Sequence, residues 1–499
     1  MNERNDIMKR LLTILLLASL LLSSCANNTE TSPENTPDAP AGDSLTDAPA
    51  AEEAVPETEE ELPAPAVEDM GGAVLTVLNY TPESFNWANT LMFADELNGE
   101  TLNDALFERE RKVEELYNCS LEELASGSVV SDITNSVTAG DANFDAAMLF
   151  DASVTNILQQ GLSLSWGELD LDLTKPWWDS AATEQYNFKG IQAAVSGAFS
   201  LYNYSTRHCY VFNEDIMNAV APEVNLFDEV REGTWTVDRM YELGALAVLD
   251  LNGDGTMTAG DDQYGIVSSV TRHYSALLAG ANVKYIDRDD EGALYFAIPG
   301  SEFAVSVVSK LVQLNTGNDI YTSGTNDIGG GAESSIFYNN RALFIAAYVG
   351  EAARMRDIEF NIGIVPSPKY TAEQEQYYSL VEGGAQTVLP KTLGTDARHK
   401  TAVLLDAFGY YSFVESIPAY IDQVLMTKVA RNEDSSEMME IVFDTSFYDL
   451  GTGVWSADTK NMFTQNIFLP RSDTVVSLCE KIEKALTKKL ERFLDDLAG

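Results

Sequence analysis

The chain has 499 residues, with 31 Lys and Arg against 78 Asp and Glu and a formal net charge of −47. Such an acid excess excludes nucleic acid and anionic lipid headgroups as docking partners, because both repel it at long range. Four cysteines give no disulfide framework, and the length allows two domains behind the N-terminal region.

The chain opens with Met1-Asn2-Glu3-Arg4 and reaches Lys9-Arg10 before an apolar run from Leu11 to Leu22 and then Ser23-Ser24-Cys25. A basic start, an apolar centre and small residues before a cut site describe an export signal over residues 1–24. The run is shorter than the roughly 20 residues that a membrane span needs. Leu22-Ser23-Ser24-Cys25 resembles the lipobox of bacterial lipoproteins, which implies cleavage before Cys25 and lipid, palmitate included, on that residue. Residues 26–70 hold 13 Asp and Glu and no Lys or Arg. A stretch this polar cannot bury enough apolar area to offset chain entropy, so residues 25–70 read as a disordered acidic tether. As a flexible coil it spans roughly 35–40 Å. The first 25 residues carry +1 and the next 45 carry −13, which leaves −35 on residues 71–499. Cys119, Cys209 and Cys479 read as core or half-buried thiols with one optional pair.

The body begins with a buried strand over 74–78. The loop Asn79-Tyr80-Thr81-Pro82-Glu83-Ser84-Phe85-Asn86-Trp87 follows it, and in open α/β sheets ligands sit beyond strand ends of this kind. An amphipathic helix is expected over 101–118, opened by Thr101 and Asp104. A strand over 120–124, a short helix over 132–138 and a strand over 146–150 complete a strand–helix–strand–helix–strand order, which implies a parallel, helix-covered sheet. That last strand ends at Phe150-Asp151, where Asp151 either meets a ligand or caps the next helix. Trp177-Trp178 reads as packing. A strand-like stretch over 193–199 leads to Tyr202-Asn203, and Thr234-Trp235-Thr236 opens a helix over 237–249. Buried strands are expected over 341–350, 360–370 and 382–390, a helix over 399–415, and a last helix from Ser472-Asp473 to Leu494. Tyr348 closes one of these strands, and Trp455 stands in a glycine-rich turn.

Residues 250–261 form a twelve-residue loop with oxygen side chains at its first, third and fifth positions: Asp250, Asn252 and Asp254. Gly255 makes the sharp turn at the sixth position, Thr256 is seventh, Met257 is the apolar eighth, and Asp261 closes the loop with Asp262 beside it. Hard cations take six to eight oxygens, so this alternation points to Ca²⁺ as a structural clamp. Asp replaces the longer bidentate Glu at position 12, and either Asp261 or Asp262 can serve there. The alternative is a solvated turn without metal.

Taken in this order, several pieces resemble the extracellular solute-binding proteins of ABC importers, the carbohydrate-type family 1. They are the lipobox, the acidic tether, Tyr210-Val211-Phe212-Asn213-Glu214-Asp215, Thr234-Trp235-Thr236, the 342–350 stretch, Ile364-Val365-Pro366-Ser367-Pro368 and Gly383-Gly384. The resemblance implies an α/β, two-lobed, periplasmic-binding-protein-like (type II) fold with a central cleft and a hinge. Lobe 1 is then 71–198 plus 384–416, and lobe 2 is 199–383 plus 417–499. Some relatives that bind acidic or long glycans hold a calcium loop similar to 250–261. The resemblance further implies an oligosaccharide ligand, delivery to an ABC transporter permease, a monomer, and a place on the outer face of the cell membrane by lipid anchor alone. Aromatic faces stack on pyranose rings while carboxylates and amides take the hydroxyls. The candidates for these roles are Tyr80, Trp87, Phe150, Asp151, Tyr202, Asn203, Tyr348 and Trp455.

An enzyme is the competing reading. Carboxylates are abundant enough for a glycosidase pair, so a surface glycoside hydrolase or lyase stays open, as does a binder of peptides or polyamines. No catalytic signature marks the chain: there is no Gly-x-Ser-x-Gly, Gly329-Gly330-Gly331 lacks a following Lys-Ser/Thr, and His208, His273 and His399 have no metal-ligand spacing. A non-enzymatic binder is the expectation.

Overall fold

A computed structural model describes residues 62–81, 92–323, 332–352, 354–355, 358–425 and 433–498. The export signal, Cys25, most of the tether and Trp87 lie outside them. The described chain from Pro65 onward belongs to one compact unit. The tether ends sooner than its composition indicates. The Met70 N–H donates to Tyr117 O, Asp69 accepts from Gly71 N and Asn118 Nδ2, and His399 bonds Glu68, so local hydrogen bonds hold this acidic stretch to the body.

Two five-stranded sheets organise the unit. In the first, the order is Cys119–Ser126, Ala73–Tyr80, Ala146–Phe150, Ala385–Pro390 and Ser163–Leu164. Ala73–Tyr80 runs parallel to both neighbours, in register from Ala73 opposite Cys119 to Tyr80 opposite Ser126. Thr101–Tyr117 and Val129–Ala139 supply the helical crossovers that parallel strands require. Ala385–Pro390 enters antiparallel, with Ala385 opposite Phe150. In the second sheet the order is Tyr321–Thr322, Tyr264–Val267, Ala342–Tyr348, His208–Asn213 and Ile362–Val365. Ala342–Tyr348 is parallel to Tyr264–Val267 and antiparallel to His208–Asn213, which sets Tyr348 opposite His208.

The inner strands are near-continuous apolar runs because helices cover them, and Val77, Ala147, Leu149, Val211, Ile266 and Phe344 are all inaccessible to solvent, while the edge strand Cys119–Ser126 is largely exposed. The chain leaves the first sheet after Leu164, builds the second, and returns at Ala385. The connecting segments bond to one another: Arg207 bridges Val381, and Ser379–Leu380 pairs in parallel with Ser446–Phe447. Buried Arg207 ties this crossing together through Asp179 Oδ2 at 3.3 Å and the carbonyl of Phe443, and Tyr448 O–H donates to the same Asp179 oxygen at 3.1 Å.

Several local expectations change. Residues 193–199 make only isolated bridges, Val195 to Thr387 and Trp178 to Gly197. A Cβ at Gly197 would fall 2.4 Å from the Phe199 ring, so this stretch serves as a close-packed floor and not as a strand. Thr101 does not cap its helix; Asp104 bonds backward to Asn98 N and Gly99 N instead. Both Trp177 and Trp178 are core residues, and both indole N–H groups donate to Asp406. Cys119, Cys209 and Cys479 are all free and buried, so no optional pair forms. Among the described residues no helix is long and apolar enough to cross a membrane.

Candidate functional site

The carboxyl ends of Ala73–Tyr80 and Ala146–Phe150 place Tyr80, Phe150 and Asp151 side by side. Phe150 stacks on Tyr80 with ring centroids 4.2 Å apart and 16° between planes, and Tyr202 lies 6.0 Å from Phe150. Tyr80 and Tyr202 are buried, while Phe150 is half-buried and is the ring of the three with most access. Asp151 begins the Asp151–Gln159 helix without capping it. Its Oδ1 accepts from Tyr186 O–H at 2.5 Å and from Gln386 Nε2 at 3.1 Å. Burial pushes its carboxyl up to about 6, against the pull of those two donors, the Gly384 contact and the Lys460 charge. Asn203 takes another role. Its amide accepts from Ala385 N at 2.8 Å and donates to Ala385 O and Ser196 Oγ, so it fixes the returning strand as a backbone mimic.

The matching end of the second sheet carries a charged cluster. His208 Nε2 bonds Glu382 Oε2 at 3.0 Å, and Lys460 Nζ donates to Glu382 Oε1 at 2.6 Å. Tyr348 O–H reaches Glu382 Oε2 at 3.4 Å. Burial alone would raise Glu382, but the Lys460 and His208 charges hold it far below the carboxylate range. Arg272 lies in the first turn of Val270–Gly280. It pairs with both oxygens of Glu351, at 2.8 and 3.0 Å, and its guanidinium sits 4.3 Å over the Tyr348 ring. Tyr348 therefore stands at the sheet end, as expected, but with one face under Arg272 and with His208 edge-on at 4.8 Å.

Trp455 does not join these groups. It is buried and packs edge-on against Phe493 of the Val475–Ala498 helix at 5.3 Å, because the turn that carries it folds back on that helix. The turn itself does reach the site. A Cβ at Gly453 would lie 3.1 Å from Asp151 Oδ2, and one at Gly384 would lie 3.3 Å from the same oxygen. Tyr186, Gln386, Glu382, Lys460, Arg272 and His208 are residues that sequence reading missed. They are scattered through the chain with no motif, and the Glu before Gly383-Gly384 was the one available signal.

Residues 250–262 lie apart from this cluster, with mostly exposed side chains. Asp250 accepts from Gly253 N and Gly255 N, Asn252 from Asp254 N, and Asp254 from Thr256 N. Asp262 is buried, and its two oxygens clamp Leu251 N and Thr258 N; those backbone donors depress its carboxyl. It is the loop's internal tie, which leaves Asp261 as the outward carboxylate at the twelfth position. Among the described residues no three His, Cys, Asp or Glu side chains gather as a metal cluster.

No protein-family model and no curated protein matches this sequence. Solved structures do match its fold. A cyclic α-maltosyl-1,6-maltose binding protein from Arthrobacter globiformis aligns at 16% identity and TM-score 0.56, over 85% of this chain and 100% of its own. The galacto-N-biose/lacto-N-biose I-binding protein of an ABC transporter from Bifidobacterium longum, in complex with lacto-N-biose, aligns at 10% identity and TM-score 0.52, over 86% and 99%. An ABC substrate-binding protein from Listeria monocytogenes in complex with cycloalternan aligns at 14% identity and TM-score 0.50, over 84% and 99%. The chain has the two-lobed α/β fold of periplasmic-type binding proteins.

Proposed function

We propose that this chain is the extracellular binding component of an ABC importer, capturing an oligosaccharide between its two lobes, 71–198 plus 384–416 and 199–383 plus 417–499, and handing it to a permease. The observation that carries this reading is the placement at sheet ends of a stacked aromatic pair, Tyr80 and Phe150, with Asp151 next to it, and of a hydrogen-bonded cluster of Glu382, Lys460 and Tyr348. An aromatic face takes the C–H surface of a pyranose and the polar groups take its hydroxyls. A fold shared with proteins solved in complex with lacto-N-biose and cycloalternan supports it. The fold shared with binding proteins supports a binder over a catalyst. The lipobox at Cys25 and the acidic tether support attachment by lipid at the outer face of the membrane, and the chain is read as a monomer.

The 250–261 loop also supports a structural calcium clamp. The donor types and their order suit a hard cation. Asp250, Asn252, Asp254, Thr256 and Asp261 would hold it, and the ion would supply a fixed charge that draws the loop together.

The test is thermal unfolding of the purified chain against a panel of neutral oligosaccharides that includes cycloalternan, cyclic α-maltosyl-1,6-maltose and lacto-N-biose, with peptides and spermidine as controls. A ligand bound to the native state at a hundredfold excess over its Kd adds about 2.7 kcal/mol of stability. A selective upward shift with one saccharide, recovered intact, is the expected result. Shifts confined to spermidine or peptides, or cleavage of the glycan, would sink the proposal.

A further inference from the structure

After Ala385–Pro390 the chain leaves the first sheet a second time. Thr395–Tyr411 still packs against Thr101–Tyr117 and Ala73–Tyr80, whereas Glu433–Asp444 lies against Ile362–Val365 of the second sheet. Ile417–Leu425 joins them and touches both sides, Thr101–Tyr117 on one and Val349–Ala352 and Glu433–Asp444 on the other. The helix does not break on the way. Tyr411 and Ile417 keep right-handed helical backbone, but Ser412–Ser416 widens into a π-turn in which Ile417 N bonds Ser412 O, five residues back. Pro418 supplies the cause. It has no N–H for the carbonyl four residues earlier, and its ring crowds that carbonyl. Such turns bend helices and recur at functional positions.

One side chain holds this turn. Arg109, inaccessible to solvent, donates to Ser412 Oγ at 2.6 Å, and Ser412 Oγ donates on to Phe408 O at 2.5 Å. The same guanidinium reaches Phe199 O at 3.4 Å, on the first passage between the sheets, and also Met92 O. It lies 4.0 Å over the Phe408 ring. All of these partners are neutral, a costly setting for a buried cation. The arrangement fastens the two passages to each other and to the first sheet's helix. Beyond the turn the hold is weaker. Ser416 Oγ and Tyr420 O–H are buried with no partner among the described residues, and each unpaired buried hydroxyl counts against that arrangement.

We propose that Arg109 is a positioning residue for ligand capture: by fastening Phe199 to Ser412 it sets the pivot of two passages between the lobes, and Ile417–Leu425 swings about the π-turn as the lobes close on a ligand. The inference rests on the saccharide reading for its ligand and on the two-lobed fold for its motion. Phe199 and the π-turn fall at the proposed lobe boundaries, 198/199 and 416/417. Arg109 itself meets no ligand. It acts on the balance between open and closed forms, so weakening it lowers the affinity for every ligand of the cleft by one common factor.

The test uses the full chain and its Ser412→Ala and Arg109→Lys variants, with circular dichroism reporting the fold. Ser412→Ala removes the link from Arg109 to the turn, leaves the one to Phe199, and suits a helix. Amide hydrogen exchange of the ligand-free variant should speed up over 412–425 by about tenfold or more, as loss of a hydrogen bond to a charged group allows. Kd for the saccharide that stabilises the unmodified chain should weaken roughly 2- to 30-fold, the range for residues that modulate coupling without touching a ligand. Its monodeoxy forms should weaken by the same factor. A merely structural bond would lower the melting temperature and leave Kd in place, and a ligand contact would affect the deoxy forms unequally. Arg109→Lys keeps the charge but cannot fork to both partners, so it should move both readouts the same way, and it decides the matter if Ser412→Ala does not fold. Unchanged exchange, unchanged Kd, or losses that differ between the deoxy forms each overturn the inference and leave the saccharide reading standing. A chain that no saccharide stabilises overturns that reading, and exchange over 412–425 alone then upholds or sinks the pivot.

Discussion

Asp151 and Glu382 are buried carboxylates at corresponding ends of two sheets, and their surroundings drive them in opposite directions. Burial raises both. At Asp151 the donors in contact are neutral, a tyrosine and an amide, and the carboxyl stays high at about 6. At Glu382 a lysine and a histidine face the carboxylate, and it drops far below the usual range. The chemistry of the partner, more than depth in the protein, sets the charge of each. One carboxylate is thus held by neutral donors, and the other is matched to a charge.

Removing the matched charge should have the largest effect. Glu382→Ala leaves Lys460 and His208 without their carboxylate in a buried setting, which typically costs about 3–5 kcal/mol. Urea unfolding of the variant measures it, and a loss near zero would mean that Lys460 simply turns to solvent. The carboxylate held by neutral donors should behave otherwise. Asp151→Asn keeps the fold at pH 7 but should weaken saccharide binding by about tenfold or more, because a charged acceptor is lost; calorimetric titration reads this directly.

The pH dependence sharpens the contrast. The Asp151 carboxyl is raised from 3.8 to about 6, so the native state keeps a proton that the unfolded chain has released. Stability relative to Asp151→Asn should fall as pH rises from about 4 to 6, and level off above. Glu382 is lowered from 4.5, so its contribution is full above that value and is lost as pH falls below it. Melting curves of Asp151→Asn from about pH 4 to 7, and of Glu382→Gln from about pH 5 down to 2, should therefore diverge from the unmodified chain with opposite slopes. Parallel curves would break the comparison. The smallest effect belongs to the exposed acidic loop. Calcium should raise the unfolding midpoint, and Asp250→Ala should abolish that rise without touching saccharide affinity; an unmodified chain indifferent to chelation would reduce the loop to a turn.

Much of the architecture was legible before folding. The strand ending at Phe150 was placed residue for residue, since Ala146-Ala147-Met148-Leu149-Phe150 is an apolar run closed by Asp. Tyr80, Phe150 and Asp151 were picked from strand ends and Tyr202 from the crossing after 193–199, and the four lie together. Trp455 was misread because a glycine-rich turn looks the same whether its aromatic faces a ligand or a helix, and only the position of Phe493 decides. Asn203 was read as a ligand amide, but its bonds match a strand backbone that arrives 182 residues later. Lys460 and Arg272 carried no signal, since an isolated cation in sequence says nothing about the carboxylate it will meet.

The sequence by itself determined the acidic character, the export and lipobox pattern, the alternation of strand and helix, and the oxygen-rich loop, because each is set by composition or by contacts a few residues apart. The tertiary structure alone decided which charges meet. Asp151, Glu382 and Lys460 lie in three distant segments, and whether a buried carboxylate faces an amide or an ammonium follows from how the crossings stack. Long-range pairing has no local signature, and at this site it sets both the charge and the ligand that the charge can hold.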